Sequence, residues 1–184
     1  AFVGAAAEAK KFKMSGKTII THSGSFHCDE SLACFLLHQT EEFKDANIVR
    51  TRDPEVIDTG DIVVDVGAVY DPSKNRFDHH QRGFEETISK DYSIKLSSAG
   101  LVYKHYGREV LKNVLSESDE TTIETLYWKI YRNLIQEIDA IDNGVTQFDG
   151  TAQYKISTNL SARVGRLNPS WNQETNDDER MEQF

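Results

Sequence analysis

From Lys17 onward the apolar positions come in short runs separated by polar loops, and only later widen to helical spacing. KTIITHSG is a brief apolar run opening into a glycine-containing loop, which predicts a buried strand. In DESLACFLLHQ, residues Leu32, Phe35 and Leu36 recur at helical spacing, and Asp29 near the start suits the positive end of a helix dipole. NIVRT reads as a second strand. DIVVDVG reads as a third, apolar on both faces as in a covered parallel sheet. VYDPSKNRFDHH predicts a strand, a turn at Asp71–Pro72–Ser73 and a returning strand.

The second half is helical in pattern. Ser97–Ser98 offers a cap before AGLVYKHYG, a helix expected to end or break at Gly107. Thr121 to Ile141 carries the strongest periodicity, with Ile123, Leu126, Tyr127, Ile130, Leu134, Ile138 and Ile141 at three- and four-residue steps before Asn143–Gly144 stops it. On a regular wheel the apolar face centres between Ile141 and Ile138, with Asp142 nearer to it than Asp139. Together these elements predict an α/β fold with a mainly parallel sheet flanked by helices. Residues 1–16 read as a leader or appended remnant outside the fold, expected to be disordered. Residues 17–145 read as one α/β domain and 146–184 as a linker and the start of a second, truncated domain, the polar tail beyond Arg166 being alternatively a frayed terminus.

Composition narrows the partners. No apolar run approaches the roughly 20 residues that span a bilayer, so no membrane association is expected. A net charge of −9 excludes a purely electrostatic nucleic-acid binder, though carboxylates that bind divalent cations count as negative until the ions are in place. Cys28 and Cys34 sit too close, on one expected helix, for a disulfide framework; reduced thiols in an intracellular compartment are expected.

Ligand-type side chains gather where the strands and the long helix end. His22, His27 and Asp29 follow the first strand, Asp65 ends the third, Asp78, His79 and His80 end the returning strand, and Asp139 and Asp142 close the long helix. Singly, each has a plain alternative: a solvated loop histidine, a strand-end turn former, an exposed strand end. Their joint placement at the carboxyl ends of strands, where α/β sheets bind ligands, predicts a divalent-metal site. Imidazole with carboxylate and no cysteine argues against structural zinc and favours Mn²⁺, Mg²⁺, Fe²⁺ or catalytic Zn²⁺. The number of candidates suits two ions bridged by a carboxylate, an arrangement that clamps the oxygens of a phosphate ester. Cys28 is read as packing beneath the site. Ser98 and Gly100 at a helix start present N–H groups either to a phosphate or simply to a cap. Arg82, Arg163 and Arg166 are read either as phosphate neutralisers or as solvated surface cations.

Asp78–His79–His80, preceded by His22…Asp29 and Asp65, resembles the DHH phosphoesterase superfamily. THSGSFHCDE, DIVVDVGAVYD, RFDHHQRGF, EIDAIDNG and RVGRLNP are similar to segments of its melanocyte-proliferating-gene branch of RNA exonucleases, over about Lys17 to Trp171. In the wider superfamily a histidine is followed by two aspartates one residue apart. Here His27 stands in place of the first aspartate, which leaves a two-metal count intact and the choice of metal open. The resemblance implies that Asp65 bridges two ions, His22 and His27 hold one, and Asp29, His79 and Asp142 hold the other. It also implies that His80 faces the scissile phosphate, that Asp78 orients the histidines, and that the nucleophile is a water activated by the ions.

The expected activity is therefore a metal-dependent 3′-to-5′ RNA exonuclease acting on RNA or a short oligonucleotide. Mn²⁺ is favoured over Mg²⁺ or Zn²⁺, a homo-oligomer is allowed, and a mitochondrial or nuclear location is implied. The rivals are a small-molecule phosphohydrolase acting on pyrophosphate or a nucleotide, and a non-catalytic metal-binding module. Few lysines and arginines near the motifs favour a phosphodiester over pyrophosphate.

Overall fold

The computed structural model describes residues 16–184, so the expectation for the leader falls, Gly16 apart, outside the described residues. Five strands, β1 (Thr18–Thr21), β2 (Asn47–Arg50), β3 (Ile62–Val64), β4 (Tyr70–Asp71) and β5 (Arg76–Phe77), pair in the order β2-β1-β3-β5-β4. All neighbours are parallel except β4 against β5. Alternate residues explain why these short strands are apolar on both faces. Ile19, Ile62, Val64 and Phe77 pack with the larger core, while Ile20 and Val63 turn to a smaller one with Ile57 and Val66.

Helix α1 (Cys28–Leu37) covers the larger face beside α3 (Ser98–Leu115). Its buried positions include Ala33, Cys34, Leu36 and Leu37, whereas Phe35, expected inside, is 58 % exposed. The expected break at Gly107 does not occur: α3 runs through it. A Cβ there would come within 2.9 Å of the Tyr103 ring and 3.1 Å of the Tyr127 ring, which stack 4.7 Å apart. Glycine at this position serves helix packing. The short α2 (Pro54–Ile57) is capped by Asp53, with proline in its first turn.

The long helix differs from expectation in its interior. α4 (Glu120–Ile130) passes into a π-helical turn, Tyr131–Ile135, and then α5 (Gln136–Asp142). Its buried residues step by four, at Ile123, Tyr127, Tyr131 and Ile135. On a regular helix each such step drifts by about 40°, and a wide turn absorbs that drift. Beyond it the phase has moved: Ile138 and Asp139 are buried, while Ile141 is 42 % exposed. The regular wheel therefore misplaced the buried face near this end.

The last elements are α6 (Leu160–Gly165) and α7 (Asp177–Gln183). Val164 packs beside the cluster of Cys28, Ala99 and Ile138. Asn168 brackets the backbone of Phe26, accepting its N–H at 2.8 Å and donating to its carbonyl at 2.7 Å. No helix among the described residues is long and apolar enough to cross a membrane.

Candidate metal centre

The strand order places β2 on one side of β1 and β3 on the other, and the crevice at such a divergence is where open α/β sheets take ligands. His22 leaves β1 there, Asp65 leaves β3 and Asp78 leaves β5. A cleft of about 1100 Å³ opens at this edge, lined among others by His22, His27, Asp29, Asp65, His80 and Asp142.

Asp65 is at the centre. Its backbone is left-handed, with φ of 56°, an unfavoured conformation for a residue with a Cβ. Its carboxylate lies 3.4 Å from Nε2 of His22 and from Nε2 of His79. The Ser98 hydroxyl donates to it at 3.3 Å. Among the described residues, three sets of side chains bring ligand atoms together closely enough to hold an ion: His22, His27, Glu30 and Asp65; Asp65, His79 and His80; and Asp29, His79 and Asp142. Asp65 and His79 each belong to two of them.

The remaining groups are placed by secondary structure. Asp29 accepts backbone N–H bonds from Ala99 (2.6 Å) and Ser98 (3.2 Å), so the first turn of α3 is spent on a carboxylate of α1. Gly100 N–H points to the Ser97 hydroxyl, at 3.4 Å. Asp139 accepts from both the N–H and the hydroxyl of Ser97, at 2.9 and 2.8 Å, and faces α3 rather than His79. A Cβ on Gly100 would lie 2.2 Å from Asp139 Oδ1, so only glycine lets the two helices meet. Asp78 accepts from Ala68 N–H at 2.6 Å and shares a 2.7 Å hydrogen bond with His80 Nδ1, tying the loop after β3 to His80. Arg82, Arg163 and Arg166 are exposed and absent from the cleft lining; Arg166 donates to the Ser157 carbonyl.

Two residues escaped the sequence reading. Glu30 is fully buried, 3.0 Å from His22 Nε2, and also accepts the His27 N–H at 2.8 Å. Its position three residues after His27, that of a capping-box acid, was the available signal. Arg52 is the one lysine or arginine among the described lining residues of the cleft.

The donors fit a cation on charge and on valence. Asp29, Glu30, Asp65, Asp78 and Asp139 are all buried, and no lysine or arginine among the described residues is. Buried carboxylates without positive partners are costly, so the site calls for positive charge. Glu30 Oε2 and His79 Nε2 are buried without a hydrogen bond, although His79 Nε2 is 3.1 Å from Asp142 Oδ2. In the metal-free protein, protons answer part of this need. Burial alone would lower His22, but Asp65 and Glu30 overcome it and push the imidazole up to about 10. His79 is likewise pushed up to about 10, burial being outweighed by Asp142 and Asp65. Burial works to raise Asp65, yet His22 and His79 hold it below the usual carboxylate range. Asp29 is driven well above that range by burial, then by Asp65 and Asp142. Cys28 is 4 % exposed and its thiol is pushed up to about 11, chiefly by burial, so it is protonated at neutral pH and no nucleophile.

The family profile described as "MYG1_exonuc: Uncharacterised protein family (UPF0160)" matches residues 18–184. The human protein named MYG1 exonuclease is 52 % identical over 173 residues, covering 90 % of this chain and 46 % of that protein. A MYG1 protein of Dictyostelium discoideum is 51 % identical over 173 residues, covering 93 % and 52 %, and one of Caenorhabditis elegans is 50 % identical over 169, covering 89 % and 50 %. The chain spans about half the length of these relatives. No solved structure gives a significant match. With nearly all of its described residues inside the profile, and half of its positions shared with animal and amoebal members, the chain belongs to the MYG1 family.

Proposed function

We propose that this chain is the metal-binding catalytic part of a DHH-type phosphodiesterase, a 3′-to-5′ RNA exonuclease that uses two divalent ions, Mn²⁺ before Mg²⁺ or Zn²⁺. The observation that carries the reading is the sharing of Asp65 and His79 among three ligand sets, six of whose eight residues line one cleft. The name exonuclease, borne by the human, bovine and mouse relatives, supports a nucleic-acid substrate.

In this reading His22, His27 and Glu30 hold one ion, Asp29, His79 and Asp142 hold the other, and Asp65 serves both. Bound there, the ions supply Lewis-acid activation of water and neutralise phosphate charge. The chain's own residues do the rest. His80, with 60 % of its side chain exposed and Nδ1 fixed by Asp78, presents its ring to a phosphate oxygen. Asp29, pinned by two N–H groups, keeps α1 and α3 from separating under the substrate. Residues of α2, α5 and α6 wall the cleft and would bound the substrate. We extend the proposal to mitochondrial and nuclear location, which tagging in cells would check.

Incubation with end-labelled RNA, DNA and pyrophosphate, each with Mn²⁺, Mg²⁺ and Zn²⁺, tests the reading. Stepwise shortening of RNA from its 3′ end, abolished by a chelator, is expected. Turnover of pyrophosphate alone would make the protein a small-molecule phosphohydrolase. Tight metal binding without turnover of any substrate would make it a binding module.

A further inference from the structure

In a chain of net charge −9, Arg50 and Arg52 bond the loop after β1 and Arg180 lines a cavity beside it. Arg52 lines the cleft, and its Nε donates to the Ser23 carbonyl at 3.3 Å. Arg50 donates to the Gly24 carbonyl at 2.9 Å, with its guanidinium over the rings of Phe184 (4.7 Å) and Phe26 (5.5 Å). Gly24 and Ser25 form the near wall of a second cavity of about 220 Å³, whose far side carries Trp171, Gln173 and Arg180. Arg180 Nε is steadied by the Thr175 hydroxyl at 3.0 Å. The loop that walls the second cavity is thus tied to the cleft through Arg52, which lines the cleft and holds the Ser23 carbonyl. Trp171 is 97 % exposed, although a large aromatic ring gains most from being covered.

We propose that Arg52, Arg180 and Trp171 form a track for the single-stranded RNA tail that leaves the cleft, with its phosphates on the two guanidinium groups and a base stacked on the indole. Alternation of cations with an open aromatic face is how single strands are bound without sequence preference. A compact anion such as pyrophosphate would reach neither Trp171 nor Arg180. The inference rests on the exonuclease reading, because only a polymer cut from one end has a tail to place.

The test is binding of a 12-nucleotide oligouridylate by the chain in chelator, read by tryptophan emission and by anisotropy of a labelled strand. The sequence has two tryptophans, and Trp128 stacks on Tyr92, so quenching assigned to Trp171 should vanish in Trp171→Phe while anisotropy still reports binding. Trp171→Ala should weaken binding roughly tenfold. Arg52→Ala and Arg180→Ala should each lower the salt dependence of log K by about 0.7, and Lys at either position should restore it. Quenching with normal salt slopes, but no hydrolysis of the same RNA with Mn²⁺, would keep the track and overturn the exonuclease reading. RNA shortened as expected, with emission unmoved and both arginine slopes unchanged, would overturn the track alone. Absence of both binding and hydrolysis would overturn both.

Discussion

Asp29 and Glu30 are neighbours on the first turn of α1, are both buried, and feed opposite halves of the metal cluster, yet they are held in different ways. Both oxygens of Asp29 accept N–H bonds from the start of α3, across 69 and 70 residues of chain. Glu30 has one oxygen tied to the adjacent His27 N–H and the other without a hydrogen bond. The partners differ in the same sense. Side chains of His79 and Asp142 are 6 % and 21 % exposed, whereas 63 % of the His27 side chain is exposed. On the proposed two-ion reading, the Asp29–His79–Asp142 half is held by tertiary contacts to α3, and the His22–His27–Glu30 half would keep one arm, His27, free to close on an ion. Preorganised ligands lose less entropy on binding, so the first half should fill at lower metal concentration.

The change that reaches both halves is Asp65→Asn. It preserves shape and removes the shared charge, so Mn²⁺ affinity should fall by more than the roughly 10–100-fold typical of losing a partner of a ligand. Calorimetric titration checks this; one ion retained at full affinity would confine Asp65 to one half.

Next in size is the contrast at the end of α5. Asp142→Ala should cost the preorganised half roughly tenfold or more in Mn²⁺ affinity. Asp139→Ala should leave that affinity within a few-fold and instead cost about 1–3 kcal/mol of stability, by orphaning the Ser97 N–H and hydroxyl. Calorimetry and urea denaturation separate the two, and the reverse ordering would make Asp139 the ligand.

Swapping the acids of the neighbouring pair sharpens the comparison further. Asp29→Asn offers one acceptor where two N–H groups converge, and should lower stability of the metal-free chain by about 1–3 kcal/mol. Glu30→Gln should weaken the second ion and also lower metal-free stability, because it removes the charge that pairs with His22 at 3.0 Å, a loss that fades as pH rises towards 10. An equally pH-dependent loss for Asp29→Asn would mean that the halves are equally built.

The comparison also depends on pH. His22 and His79 are raised from 6.5 to about 10 in the folded, metal-free protein, so their contribution to stability is complete below pH 6.5 and is lost as pH rises towards 10. Asp65 is lowered from 3.8, so its contribution is present above that pH and lost on acidification. Asp29, raised above its usual range, and Asp139, raised to about 7 by burial, add a loss that begins as pH rises above 3.8. Chelated protein should therefore have its highest Tm at about pH 4 and lose stability steadily towards pH 10. Metal affinity should run the other way and rise with pH, because ligation displaces the imidazole protons. A Tm that climbs from pH 7 to 9 without metal would contradict the pairing.

Much of this arrangement was legible because it obeys short-range rules. Apolar runs ending in His22, Asp65 and Asp78 mark the strand ends, and an open α/β sheet brings strand ends together whatever the loops do. What escaped depends on phase or on contacts across the fold. Asp29 and Glu30 point about 100° apart on their helix, and nothing local says that one turns to α3 and the other to His22. Gly107 reads as a breaker until Tyr103 and Tyr127 are seen against it. The π turn at Tyr131–Ile135 hides because apolar residues at steps of three and four suit either winding. One wide turn was enough to bury Asp139 and bring Asp142 to His79.

The start of α3 lies between two carboxylates, Asp29 from α1 and Asp139 from α5, separated from it by about 70 and by 42 residues of chain. Contacts of such long sequence separation form only after large loops have closed, which ties their appearance to the slow, cooperative part of folding. A chain that has built β1 and α1 alone holds His22, His27 and Glu30 but lacks Asp65, His79 and the clamp on Asp29. Its acids stay in water and its affinity for an ion is that of a loose, partial set. On the metal-site reading, tight capture would mark completed folding, and a dye-reported release of Mn²⁺ on unfolding would follow the docking of α3 more closely than the formation of the sheet.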